Sequence, residues 1–148
     1  MKWNTDEIVA YSSGVSIWNG TAPTATHITI GDHGDVNGDG ATMLVMLFAS
    51  LAGVSKLGTY QGTSPYANRV ITTGFQPRCV MIKNMDTAED WVILDSVQGF
   101  DKRLRANRTN GQGTISWFSV QSTGFTVGIG SSATNNDNDD NYIYYAIA

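Results

Sequence analysis

The chain has 148 residues, a formal net charge of -4 and only 15% charged residues, against about 25% in an average soluble protein. Gly, Thr, Ser and Asn supply 55 residues, while Lys occurs four times and Glu twice. Thr, Gly and Asn are poor helix formers, which excludes a helical bundle, and four Trp, six Tyr and five Phe exclude a disordered chain. What remains is an all-β domain with many turns. The acidic balance argues against a general nucleic-acid binder. The single Cys79 cannot form an intramolecular disulfide, and its apolar surroundings in sequence make it a core thiol.

Along the chain, the first seven residues, Met1 to Glu7, lack a basic stretch followed by an apolar one, so no signal peptide is expected. His27 and His33 have no Cys or Glu at ligand spacing and read as surface residues. Asp35-Val-Asn-Gly-Asp-Gly40 matches the opening of a calcium loop, in which Asp35, Asn37 and Asp39 would offer oxygens and Gly40 the sharp turn. The twelfth position of such a loop is Met46, where a bidentate carboxylate is needed. A β-hairpin turn is therefore the expectation, with a weakly bound cation at Asp35, Asn37 and Asp39 as the alternative. Met43 to Ala49 is the longest apolar run, far short of the ~20 residues that cross a bilayer, and reads as a closing strand.

Further on, Ser55 to Gly62 and Asn68 to Thr73 read as strands around a turn at Thr63-Ser-Pro65. Arg78 to Asn84 and Trp91 to Asp95 flank the polar hairpin loop Met85 to Asp90. Gly99 to Asn110 lacks a strand pattern and is expected to be a surface loop. It carries Lys102, Arg103, Arg105 and Arg108, four of the nine basic residues, which form a candidate patch for an acidic partner or a solvated loop whose cations need offsetting. In Tyr142-Ile-Tyr-Tyr145, alternation sets Tyr142 and Tyr144 on one face and Ile143 and Tyr145 on the other, as in a sheet covered on both sides or an interface. Trp3 and Trp91 are candidate aromatic contacts for a glycan. No nucleophile elbow, metal-binding helix or nucleotide loop appears, so no enzyme, no cofactor and no membrane span are expected.

The chain also matches itself. At an offset of 99, Gly14 falls on Gly113, Trp18 on Trp117, Ile28 on Val127, Ile30 on Ile129, Gly31 on Gly130, Asn37 on Asn136, Val45 on Tyr144 and Ala49 on Ala148. The expected organisation is therefore a half-repeat, 1–49, packing on a complete β-sandwich unit, 50–148, with exchange of the half-repeat between subunits as the alternative. The spacing predicts an antiparallel, jelly-roll-like β-sandwich of about nine or ten short strands.

Lys56-Leu-Gly-Thr-Tyr60, Gly74-Phe-Gln-Pro77, Val80-Met-Ile-Lys83, Trp91-Val92, Asp95-Ser96 and Gly124-Phe-Thr-Val127 together resemble a repeat module of exterior virion proteins of tailed bacteriophages, especially phages of cyanobacteria and marine bacteria. The turn beginning Thr134-Asn-Asn136 departs from that module's pattern. The resemblance covers nearly the whole chain and implies a virion structural protein with no catalytic residues. A small chain without a stalk pattern suggests a capsid decoration (cement) protein on the virion exterior, made in the host cytoplasm. Its expected partners are the major capsid protein or other virion proteins, with a homotrimer favoured. A tail-fibre module that binds host glycans, or a tail or neck component, is the alternative.

Overall fold

The computed structural model describes residues 19, 21, 24–63, 67–128, 135–137 and 139–148. Their secondary structure is almost wholly β: nine strands and one helical turn, α1 (Gly34–Asn37). The strands are β1 (Ser55–Gln61), β2 (Arg69–Thr72), β3 (Cys79–Asn84), β4 (Val92–Asp95), β5 (Lys102–Arg105), β6 (Gly113–Thr114), β7 (Phe118–Gln121), β8 (Gly124–Val127) and β9 (Asn141–Ile147). They form a six-stranded sheet, β1-β9-β3-β4-β5-β6, and a three-stranded sheet, β2-β8-β7. All pairings are antiparallel, so the architecture is the expected all-β, sandwich-like one.

The period-two pattern decides which face each residue takes. Val80 and Ile82 of β3, Val92 and Leu94 of β4, and Tyr142, Tyr144 and Ala146 of β9 turn inward and are buried. Ile143 and Tyr145 occupy the opposite, half-covered face, as the alternation predicts. The second sheet answers with Ile71, Phe118, Phe125 and Val127. Phe125 of β8 meets Tyr144 of β9 edge-on at 5.3 Å across the two layers, and within the large sheet Tyr60 of β1 stacks on its cross-strand partner Tyr142 at 4.9 Å. Each fully buried aliphatic side chain here contributes about 1.5–3 kcal/mol relative to an exposed one.

Gly58 and Gly124 are among the glycines fixed by crowding. A Cβ on Gly58 would lie 2.6 Å from the Tyr144 hydroxyl, and one on Gly124 would strike the Ile71 carbonyl. Both residues are therefore packing determinants.

Two expectations are corrected. Lys102–Arg105 is not loop but strand β5, paired with β4 and β6. Its register sets Leu104 beside Ile93 and Arg105 beside Val92, so backbone pairing compensates for a sequence almost without apolar alternation. Conversely, residues 41–50 belong to no strand, although Met43 to Ala49 has a strand's composition. Strand propensity yields a strand only where a ladder partner exists, and among the described residues this run has none.

Of the described residues, those up to Leu47 form one compact unit and Phe48–Ala148 another. The first unit holds α1. His33 caps this turn, with its Nδ1 accepting from the Asp35 amide at 3.2 Å. The segment expected to be a hairpin turn thus forms one helical turn followed by a bend at Asp39-Gly40, where Gly40 has φ +69°.

Candidate functional site

The basic segment lies at the end of the large sheet. β5 presents Lys102, Arg103 and Arg105, and Arg108 follows just beyond it. Two carboxylates, Asp101 and Asp90, offset part of this charge. Lys102 Nζ donates to Asp101 at 2.8 Å. Asp90, distant in sequence, receives Arg108 Nε at 2.7 Å and Asn107 Nδ2 at 2.9 Å. Arg105 Nε lies 2.9 Å from the same carboxylate, without hydrogen-bond alignment.

Burial pushes the Asp90 carboxyl up, but the hydrogen bonds from Arg108 and Asn107 and the charges of Arg108 and Arg105 outweigh it. They hold the group below the usual aspartate range. Arg103 differs, with a buried Nε that makes no hydrogen bond among the described residues and a pKa lowered by desolvation and by Arg105. The patch is therefore a partly compensated ion network, and its pull on an acidic partner is smaller than the raw count of four cations implies.

Trp91 is half-buried, with its backbone amide donating to Asn107 Oδ1 at 3.0 Å. This ties the start of β4 to the loop after β5. Trp3 lies outside the described residues. Asp35 sits in α1, Asn37 at its end and Asp39 in the following turn. Among the described residues, no three His, Cys, Asp or Glu side chains gather closely enough to hold a metal ion.

A buried polar knot holds one end of the large sheet. Lys83 and Asn84 are fully buried at the end of β3. Lys83 Nζ donates to the Glu89 carbonyl at 2.6 Å, and Asn84 Oδ1 accepts the amides of Asp86 and Thr87 at 2.8 and 2.9 Å. Asn84 Nδ2 donates to Asp140 Oδ2 at 2.7 Å, and Asp86 Oδ2 accepts from the Asn141 amide at 2.6 Å. The hairpin loop 85–90 is thereby fastened to the turn before β9. Sequence reading assigned Lys83 no role, and its place at the end of an apolar strand was the available signal.

The apolar surface is concentrated elsewhere. Leu44 is 89% exposed, Leu47 67%, Leu51 60% and Val54 50%, and Met43, Val45, Met46 and Phe48 are also exposed. Within the larger unit, Phe48 packs on Tyr145 with ring centroids 4.8 Å apart. Leu57 and Ile147 extend this exposed group beside Leu51 and Val54. Isolated exposed apolar side chains are ordinary, but a group such as Phe48, Leu51, Val54, Leu57 and Ile147 at a sheet edge is the kind of surface that proteins present to other proteins.

Two antiparallel β-sheets with an apolar margin define the class as an all-β, sandwich-like domain. The chain belongs to a family described as a domain of unknown function, DUF7483, which it matches over residues 1–148. No curated protein and no solved structure matches it.

Proposed function

We propose that this chain is a structural protein of a tailed-phage virion that decorates the outside of the capsid as an oligomer, with a trimer as the expected state. The exposed apolar side chains Phe48, Leu51, Val54, Leu57 and Ile147 carry this reading, because they offer area for protein–protein contact at the margin of the large sheet. The residues that resemble the virion module add support from their roles in packing. Phe75, Pro77, Ile82 and Lys83 are buried, and Gly58 and Gly124 stand at close approaches. The role is one of binding rather than catalysis.

Decoration would act through linkage. A protein that binds only the assembled shell, across its subunit junctions, stabilises that shell by its binding free energy. The test is sedimentation of the purified protein with expanded capsids and, separately, with unassembled capsid protein. Saturable binding to the shell alone is expected; binding to neither overturns the proposal.

A further inference from the structure

The outer edge of β1 is free among the described residues. β1 pairs with β9 on one side only, with Leu57 opposite Tyr145 and Thr59 opposite Ile143. The Leu57 amide donates away from β9, to Ser50 Oγ at 2.9 Å, and the Ser55 amide donates to Leu51 O at 2.9 Å. Antiparallel alternation then turns the backbone N–H and C=O groups of Thr59 and Gln61 outward as well. Here the sheet offers a template for one more strand.

The residues just before β1, Phe48 to Leu51, begin to fold back along this edge but do not continue it. The Leu51–Ser55 bridge starts a hairpin in which Ala49 would next face Leu57. Ser50 Oγ takes that place, 2.9 Å from the Leu57 amide and 3.4 Å from its carbonyl. The Ala49 carbonyl instead accepts from Ser55 Oγ at 2.8 Å. Two hydroxyls thus end the local hairpin, and the run before them joins no strand.

The internal repeat identifies the partner such a run fits. Residues 43–49 correspond to residues 142–148, most of which form β9. β9 is the strand that lies between β1 and β3. Residues 43–49 therefore repeat a strand that already pairs with β1, and among the described residues the outer β1 edge at Thr59 and Gln61 remains open. We propose that the Met43–Ala49 run of one copy adds as a strand to the outer edge of β1 in a second copy, beside Thr59 and Gln61.

Each copy then gives one run and receives one, so the exchange can close into a ring rather than extend as a fibre. The contact is between copies and is measured without capsid. Failure of this exchange and failure of capsid decoration are therefore separate results.

Light scattering coupled to size exclusion, on the full chain at micromolar concentration, should give a mass that is a multiple of the 16.0 kDa protomer. Leu44→Lys with Leu47→Lys should give the single protomer mass, with association at least about tenfold weaker. Thr59→Pro should do the same, because it removes an outward-facing donor at an edge position and leaves the inward ladder intact. The far-UV circular dichroism of both variants should stay that of the parent. If Thr59→Pro loses its sheet signal, the lysine variant, altered only at exposed positions, decides.

Disulfide trapping locates the contact. In a Cys79→Ser background, mixing separately purified Leu47→Cys and Thr59→Cys chains should yield a cross-linked pair. The idea is overturned by a monomeric parent, by a lysine variant that stays associated, or by a Leu47→Cys, Thr59→Cys double variant that bridges within one chain.

Discussion

Two stretches of this chain share a sequence pattern and differ in what they form. Residues 113–148 supply β6 to β9, with Val127, Tyr142 and Tyr144 buried. The matching stretch before residue 50 forms one helical turn and no strand among the described residues, and its apolar run is exposed. The difference is one of pairing: β9 is laddered to β1 and β3, whereas among the described residues Met43 to Ala49 is laddered to neither. A sheet is a collective structure, and a strand's sequence records a requirement that only a second strand can meet.

The comparison breaks most sharply under truncation. Ile82→Ala removes a fully buried side chain between β9 and β4 and should cost about 2–5 kcal/mol in denaturant unfolding. Gly124→Ala, which sets a methyl against the Ile71 carbonyl, should force β2 and β8 apart and cost about 1–3 kcal/mol or more. Tyr60→Phe leaves the ring stack but removes the 2.7 Å hydrogen bond from Tyr60 Oη to the Asn135 carbonyl, for a loss of about 1 kcal/mol. At the other extreme, Leu44→Lys should change unfolding of the dissociated protomer by no more than about 0.5 kcal/mol. Equal costs at Ile82 and Leu44 would show that the first stretch is as well packed as the sheet that surrounds β9.

Acid sharpens the same contrast. Asp90 has a lowered pKa in the folded chain, so its contribution is complete above the ordinary aspartate value of about 3.9 and is lost as pH falls through the folded value. Asp90→Asn should remove that part of the acid dependence. The expected effect is about 1 kcal/mol or less, and it should shrink further in salt. Alkali acts oppositely on Tyr60 and Tyr142, whose phenols are raised mainly by burial. Their stabilising effect is complete below the ordinary tyrosine value of about 10 and is lost as pH rises from there towards the folded values.

Much of the fold was legible because burial writes a period of two. β1, β3, β4 and β9 follow that pattern, and the polar loop 85–90 between β3 and β4 was read from composition alone. β5 was not, because Lys102-Arg-Leu-Arg105 has one apolar residue and its charges are compensated by Asp90, which no local window includes. For the same reason the basic cluster read as a free patch, when three of its four cations have acidic neighbours within 3 Å. The Met43–Ala49 strand was over-read in the other direction. Composition showed that the run could pair, but pairing depends on what lies next to it. The candidate contact surface was legible only as that excess of apolar residues, because exposure is a property of the fold.

The position of β9 has a further consequence, for the timing of synthesis. This strand bridges β1 and β3, so Ser55 must wait for Ile147 and Asn84 for Tyr142 before either ladder closes. Until residues 141–147 emerge from the ribosome, β1 and β3 each lack their shared partner, and the nascent chain carries two unpaired borders. Pairing between segments so distant in sequence is slow to nucleate. The interval before β9 arrives is therefore when this protein is most exposed to misassembly with its own kind.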